Sequence, residues 1–225
     1  MTDEVQEMRK KICEFGKLMF DRHLTDTAGG NISARVGNQV CITPRYSGAK
    51  FQWHLRPEQV LVTDFQGKKL EGEGEISRES KVHYKLYNEF PEGNGIVHAH
   101  ASNVMVFCAA GIPIPPVIEA TLKFGEIGFS DFFPAHSAEL ARSIAEKMHL
   151  KEDALKKQAA AVMAPWHGLF VLGKDISAAF DAMARIDGNA RILLMSSLLE
   201  SIYQDAPGLH KRMLQLKTQA AKYGK

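Results

Sequence analysis

The chain has 225 residues, of which 45% are hydrophobic and 24% charged, as is typical of a globular protein with its own core. The formal net charge of +2 gives no electrostatic case for binding nucleic acid or a membrane surface, and no apolar run is long enough to span a bilayer. The three cysteines form no disulfide framework and the N-terminus does not resemble a signal peptide, so we expect a cytoplasmic protein.

The spacing of apolar residues predicts helices and strands in an irregular alternation. Helices are expected over 3–22, 77–90, 101–110, 137–148, 175–203 and 209–222, with Ser77 and Ser137 as N-caps. Strands are expected in a hairpin around Gly37–Asn38, on both sides of Gln66–Gly67, at 95–100, and twice within 159–173. Residues 45–59 are expected to form a loop.

This irregular order favours an α/β fold with three layers, in which helices flank a central, mostly antiparallel sheet. The length suits a single domain over 1–225, although two small domains would also fit.

Two histidines at the end of a predicted strand, in the stretch GIVHAH, are candidates for metal binding. Side chains alternate between the two faces of a strand, so His98 and His100 point the same way, about 7 Å apart. Neutral imidazole is a common metal ligand, and two on one face make half of a site for a divalent ion. Taken alone, this spacing also fits two partly buried histidines with ordinary hydrogen bonds.

Three other features can carry chemistry or only structure. His167 lies in a turn between two apolar strands, where it can be aimed inward. Glu79 lies in the first turn of the helix predicted before the strand that carries the two histidines. It is either a partner of the helix dipole or a residue that shares a ligand-binding face of the helix with His83. The stretch TAGGNIS, which includes Asn31, is either a plain turn or an anion cradle of backbone N–H groups. The other histidines carry no spacing signal and are expected to be structural or surface groups: His23, His54, His136, His149 and His210.

The order of these motifs is similar to that of the class II aldolase/adducin family. The matching stretches are TAGGNIS, ITP…SG, ISRESKVHYKLY, GIVHAHAS and PWHGLFVLGKDISAAFDAM, and the resemblance runs from about residue 8 to the C-terminus. It implies a central antiparallel sheet with helices on both sides, and homotetramers with active sites at subunit interfaces.

The resemblance also implies roles for individual residues. His98, His100 and His167 match the three metal histidines, and Glu79 matches an acid/base that can also touch the metal. The expected metal is Zn²⁺, although imidazole also accepts Mn²⁺ or Co²⁺. Tyr223, in KYGK, looks like the C-terminal tyrosine that acts as a proton donor.

The same comparison implies a phosphate site, with two departures from the usual pattern. Asn31, Thr43 and Ser77 match phosphate-binding positions, and the usual Thr-Pro-(Ser/Thr)-Gly loop here ends in Ser47–Gly48 after an inserted Arg45–Tyr46. The usual Ser-Ser-Glu reads Ser77–Arg78–Glu79. Arg45 and Arg78 either face solvent or clamp an anion, and a second anionic group on the substrate would suit the latter.

Two further positions are uncertain members of the pocket. Glu119 falls where fuculose-1-phosphate aldolase has a tyrosine, and Lys123 falls where the 4-epimerase of the family has a catalytic aspartate. The missing aspartate weakens an epimerase interpretation. Lys123 is either a surface residue or a group that neutralises a carboxylate in the pocket.

We therefore expect a metal-dependent lyase that cleaves a ketose 1-phosphate, similar to fuculose 1-phosphate, into dihydroxyacetone phosphate and a small aldehyde. The alternatives within the family are a decarboxylase of 3-oxo-tetronate 4-phosphates and a pentulose-phosphate epimerase or dehydratase. A non-catalytic scaffold similar to the adducin head is the alternative from another class.

Overall fold

The fold is built on one antiparallel sheet, as described by a computed structural model that covers residues 3–202 and 208–220. The strands are β1 Asn31–Val36, β2 Gln39–Ile42, β3 Leu61–Thr63, β4 Lys69–Glu71, β5 Gly95–Ala99, β6 Ala159–Ala164 and β7 Gly168–Gly173. The helices are α1 Asp3–Asp21, α2 Ser47–Phe51, α3 Ser80–Glu89, α4 Ser102–Ala110, α5 Ala138–His149, α6 Glu152–Lys157, α7 Ile176–Ile202 and α8 Leu209–Ala220. Two short 3₁₀ helices cover Pro57–Gln59 and Glu119–Phe124.

The strand order is β4-β3-β2-β1-β5-β7-β6, and every neighbouring pair is antiparallel. A two-residue turn joins β1 to β2, and in it Gly37 has a φ of +56°, which favours glycine. β5 lies between β1 and β7 in this order, and this position determines which segments meet at its end. The end of β5 lies beside the glycine-rich stretch before β1 and the turn before β7.

Side chains alternate between two apolar cores, one on each face of the sheet. On β5, Val97 and Ala99 pack into the core covered by α1, α4 and α7. Ile96 points to the other face and packs into the core covered by α3 and α5. His98, two residues beyond Ile96, lies on that second face, where its ring stacks on Phe170 with ring centroids 3.9 Å apart. The expected layers of helix, antiparallel sheet and helix are confirmed.

The predicted helices and strands are confirmed within the described residues, with differences at their ends. The prediction that Ser77 caps α3 is wrong, because the helix begins at Ser80 and the capping position is Glu79. Ser77 Oγ instead accepts a hydrogen bond from Asn31 Nδ2 at 3.0 Å. Ser137 does cap α5, since its Oγ accepts from the backbone N–H of Leu140.

The sequence pattern did not predict two short helices. The one-turn α2 lies where a loop was expected, and α6 follows α5 directly. Neither has the length over which helical periodicity can be recognised. Among the described helices, none is both long and apolar enough to cross a membrane.

Candidate active site

Three histidines meet where β5 ends, beside the start of α3. The available nitrogens of His98, His100 and His167 all lie within 4.8 Å of one another. His98 is the next-to-last residue of β5, His100 directly follows the strand, and His167 occupies the turn between β6 and β7. The ring centroids of His98 and His167 are 4.8 Å apart, and those of His100 and His167 are 5.7 Å apart.

Local backbone geometry brings His167 against the other two rings. Gly168 follows it with a φ of +156°, and a Cβ at this position would lie 2.7 Å from the carbonyl oxygen of Ala99. The turn can therefore approach β5 closely only with glycine at this position.

Hydrogen bonds hold two of the imidazoles by one nitrogen and leave the other nitrogen available. His98 Nδ1–H donates to the carbonyl oxygen of Leu169 at 3.1 Å, and His100 Nδ1 pairs with Asp26 Oδ1 at 3.2 Å. The Nε2 atoms of His98 and His100 are buried and meet no hydrogen-bond partner in the described part of the chain. Metal-binding histidines are commonly oriented in this way, by a carbonyl or a carboxylate on the second nitrogen.

The charge state of the cluster also suits a metal. Burial, and then the neighbouring histidines, hold the pKa of His98 well below its usual value. Burial and the nearby His100 and His136 lower the pKa of His167 to about 4. Both rings are therefore neutral near pH 7, which is the form that binds a metal ion. The donor set of three imidazoles fits a divalent transition metal with open positions for a substrate.

Asp26 is a residue of the site that the sequence did not indicate. Besides its contact with His100, the same Oδ1 accepts hydrogen bonds from the backbone N–H groups of Ala28 and Gly29. One carboxylate oxygen therefore shapes the glycine-rich stretch and also orients a member of the histidine cluster. The signal in the sequence is weak, since Asp in a turn is common for purely local reasons.

Glu79 borders the histidine cluster with a buried carboxylate. Its Oε1 lies 3.9 Å from His167 Nε2, and its side chain is only 7% exposed. Burial raises the pKa of Glu79 to about 7, against the lowering effects of the His136 backbone N–H and of the Arg78 and Lys81 charges. Such a carboxyl group can hold or release a proton near neutral pH.

His136, which was expected to be structural or on the surface, instead contacts Glu79. Its Nδ1 lies against the Oε1 of Glu79. The signal was missing because 57 residues separate the two positions, and His136 lies in an irregular segment before α5. His83 is not brought to the cluster: its Nδ1 lies 2.6 Å from Ser33 Oγ, and burial lowers its pKa to about 3.

A small cavity of about 110 Å³ opens beside Glu79. Three stretches of chain line it, together with His136: 27–31, 44–49 and 77–79. Asn31 enters it from β1, and its Nδ2 donates to Ser77 Oγ at 3.0 Å while its Oδ1 is buried without a partner. Turning this amide over would let Ser77 donate to Oδ1 and would free two N–H donors for an anion.

The predicted phosphate residues do not all reach this cavity. Ser47, Gly48, Ser77, Arg78 and Asn31 line it. Thr43 is buried, and its Oγ1 accepts a hydrogen bond from the backbone N–H of Ile32, so it joins β1 to the end of β2 instead. In this strand register the Thr43 hydroxyl serves as an acceptor within the sheet.

Arg45 lines the cavity too, but it is already paired. Its guanidinium lies 2.8 Å from Glu75 and over the ring of Tyr46. Glu119 and Lys123 are not among the residues that line the cavity. Glu119 is exposed, and the ammonium of Lys123 lies over the Phe124 ring. Tyr223 lies outside the described residues.

Comparisons with known proteins identify the family to which this arrangement belongs. The family model described as "Class II Aldolase and Adducin N-terminal domain" matches residues 10–194. The chain belongs to the class II aldolase and adducin family. It is an enzyme of the aldehyde-lyase type with a small-molecule substrate, and class II aldolases depend on a metal ion.

Two relatives and one solved structure illustrate the match. The chain is 32% identical over 171 residues to an L-fuculose phosphate aldolase of Methanococcus maripaludis, covering 76% of this chain and 85% of the relative. It is 28% identical over 191 residues to a 5-deoxy-D-ribulose 1-phosphate aldolase of Bacillus thuringiensis, covering 84% of each. The structure of an L-fuculose 1-phosphate aldolase superposes with a TM-score of 0.75 at 22% identity, over 86% of this chain and 87% of that one, and supports the fold alone.

Proposed function

We propose that this enzyme cleaves a ketose 1-phosphate into dihydroxyacetone phosphate and a small aldehyde. One observation carries the proposal: the open nitrogens of the histidine cluster and the buried carboxylate of Glu79 lie beside a cavity lined by hydrogen-bond donors. Relatives named as aldolases of L-fuculose phosphate and of 5-deoxy-D-ribulose 1-phosphate support this substrate class. A sugar similar to fuculose 1-phosphate is the first candidate.

His98, His100 and His167 would hold the metal through their free nitrogens, and we propose Zn²⁺, with Mn²⁺ or Co²⁺ also acceptable to imidazole. When bound, the ion supplies a Lewis acid for negative charge that develops on the ketone oxygen. On the family resemblance we also propose that Glu79 can contact this ion; its Oε1 lies 3.9 Å from His167 Nε2.

The phosphate would bind in the cavity between the glycine-rich stretch and the segment that leads into α3. Asn31 and Ser77 offer amide and hydroxyl groups, and Arg78 supplies a positive charge at the same cavity. Ser47 also lines it, with its hydroxyl donating to the carbonyl oxygen of Pro44 at 2.7 Å. Binding the phosphate there fixes the distance from the reacting carbons to Glu79, so that binding energy is used for orientation.

The cleavage itself moves one proton from oxygen to carbon. The C4 hydroxyl loses its proton, the C3–C4 bond breaks, and its electron pair passes to C3 and onto the C2 oxygen. The aldehyde leaves, and the resulting enediolate takes a proton on C3 to become dihydroxyacetone phosphate. We assign delivery of this proton to Glu79, whose pKa of about 7 suits transfer in both directions.

Tyr223 is proposed as the group that exchanges a proton with the C4 oxygen, on the resemblance alone. We also propose one domain over the whole chain and a cytoplasmic homotetramer with sites at subunit interfaces. Exposed aromatic side chains beside the cluster support a subunit contact there: Trp166, next to His167, is 76% exposed and packs edge-on against Phe132, which is 63% exposed.

A decarboxylase of a sugar-acid phosphate is the second candidate, favoured by the two arginines at the cavity. Arg45 and Arg78 would suit a substrate with a carboxylate as well as a phosphate. The Arg45–Glu75 ion pair makes this second anion site weaker, since the cation is already compensated.

Product analysis with zinc-loaded protein tests the two. Fuculose, rhamnulose, ribulose and xylulose 1-phosphates and a 3-oxo-tetronate 4-phosphate would be offered, with dihydroxyacetone phosphate detected by a coupled reductase and CO₂ followed in parallel. Dihydroxyacetone phosphate from any ketose 1-phosphate supports the aldolase, whereas CO₂ alone would replace it with the decarboxylase.

A further inference from the structure

The carboxylate of Glu79 lies between two imidazoles. Oε1 lies against His136 Nδ1 on one side and 3.9 Å from His167 Nε2 on the other. Both carboxylate oxygens are buried. Of the two imidazoles, that of His136 makes the closer contact, so it restricts how the Glu79 carboxylate can turn.

The segment that carries His136 is fastened on both sides. Lys81 Nζ, in the first turn of α3, donates to the carbonyl oxygen of His136 at 3.0 Å. The next residue, Ser137, caps α5 through its side chain. His136 is thus anchored between the helix that follows Glu79 and the helix that packs against it.

The backbone of His136 is unusual for a side chain of this size. Its φ is +70°, in the left-handed region that glycine adopts most readily. Residues held in such conformations gather at functional sites, where the side chain has a use that outweighs the strain. The side chain of His136 has such a use in its contact with Glu79.

We propose that His136 is a positioning residue, which through its contact with Glu79 directs that carboxylate toward the substrate carbon. The inference rests on the proposed aldolase function, because Glu79 is assigned there as the proton carrier. His136 also lines the phosphate cavity, so its experiment must separate orientation of Glu79 from direct binding of substrate.

Three substitutions separate these roles. His136→Gly removes the imidazole and relaxes the backbone, so the variant should fold at least as stably as the wild type. His136→Asn tolerates the left-handed backbone and places an amide nitrogen at the branch position of Nδ1, so it should restore the contact. His149→Asn is the control, because His149 also contacts a carboxylate, that of Glu152 at 2.8 Å, on an exposed surface of α5.

The measurement is the exchange of solvent deuterium into the hydroxymethyl carbon of dihydroxyacetone phosphate, followed by proton NMR with zinc-loaded protein. This half-reaction needs Glu79 but no aldehyde. We expect His136→Gly to lower the maximal exchange rate about tenfold or more, the scale of a misplaced catalytic group, with an unchanged apparent KM. His136→Asn should recover most of the rate, and His149→Asn should match the wild type.

Two readouts do not depend on activity. The zinc content of His136→Gly should equal that of the wild type, and its crystal structure should show the Glu79 carboxylate rotated away from its wild-type position. An unchanged exchange rate in His136→Gly, a rise in KM alone, or no recovery in His136→Asn would overturn the inference. If the wild type itself exchanges no deuterium, the aldolase proposal fails, and the role of His136 fails with it.

Discussion

Asn31 and His98 are directly opposite each other in the antiparallel pair of β1 and β5. Opposite residues share a face of the sheet, with Cβ atoms about 5 Å apart. Asn31 lines the cavity that we propose for the phosphate, and His98 belongs to the histidine cluster. This single strand pairing therefore sets the distance between the two parts of the site.

Replacing Asn31 by alanine should weaken phosphate binding while the metal stays bound. The side chain lost is a donor at the cavity and the partner of Ser77. Loss of a hydrogen bond to a charged group costs about 1.5–3 kcal/mol, so the Kd of inorganic phosphate should rise at least about tenfold. Isothermal titration with phosphate and metal analysis would check both parts.

The control for this substitution is Asn88→Ala. Asn88 is an exposed residue of α3, and its side chain donates to the carbonyl oxygens of Tyr84 on the same helix and of Phe65 in the β3–β4 connection. Equal phosphate affinity in Asn31→Ala and Asn88→Ala would remove Asn31 from the anion site. Loss of zinc from Asn31→Ala would mean that the β1–β5 pairing itself has been disturbed.

Gly29 should be required for metal binding, because of its distance from His100. A Cβ on Gly29 would lie 2.6 Å from His100 Cε1, so Gly29→Ala forces this ring to move. The backbone of Gly29 is not in the positive-φ region, so the substitution adds no backbone strain. Because metal binding needs closely placed ligands, we expect a zinc Kd at least about tenfold higher.

Gly128→Ala is the matched control for this crowding, since nothing lies within 4 Å of a Cβ there and its φ is also not positive. Zinc affinity measured by competition with a chelator should be normal in Gly128→Ala. Wild-type affinity in Gly29→Ala would show that His100 is not a ligand, or that its ring has room to move.

Asp26 should increase the affinity of the site for its metal through its contact with His100. In Asp26→Asn, the amide oxygen can still accept from Ala28 and Gly29, so the turn is kept while the negative charge behind His100 is lost. Mutation of such a partner typically raises the metal Kd by about 10–100-fold. Asp64→Asn is the control, because Asp64 forms the same kind of turn with Gln66 and Lys68 in the β3–β4 hairpin. Equal zinc affinities in the two variants would contradict the role of Asp26.

Site features that depend on residues close together in the sequence could be predicted, whereas contacts between distant segments needed further information. His98 and His100 were predictable because a strand places every second side chain on one face. Their meeting with His167 needed the family pattern, since β5 and the β6–β7 turn are about 70 residues apart. The antiparallel sheet was predictable from local patterning and turn residues alone.

Contacts that depend on how irregular segments cross each other were not predictable. His136 reaches Glu79 only because the segment before α5 passes over the start of α3. Thr43 was expected at the phosphate, but the strand register gives its hydroxyl to Ile32 instead. Ser77 was expected to cap a helix, but it bonds Asn31 across the cavity. In each case a partner from another element decided the role.

The buried carboxyl group of Glu79 should make the stability of the metal-free protein depend on pH. Its folded pKa of about 7 lies above the ordinary value of 4.5, because burial disfavours the charged form. Below pH 4.5 the group is protonated in both the folded and the unfolded chain, and it imposes no cost. As the pH rises through 7, folding must either bury a charge or take up a proton, so stability is lost.

Glu79→Gln isolates this effect, because a neutral side chain of the same shape does not titrate. At about 1.36 kcal/mol per pKa unit, the variant should gain up to about 3 kcal/mol over the wild type between pH 4.5 and 8. The pKa shifts of His98 and His167 arise from burial and from neighbouring histidines, so both proteins share them. Urea unfolding with a chelator present, at several pH values, would measure it, with the exposed Glu92→Gln as control. A difference that does not change with pH would mean that the Glu79 carboxylate is solvated in the folded protein, and would weaken its assignment as a proton carrier near neutral pH.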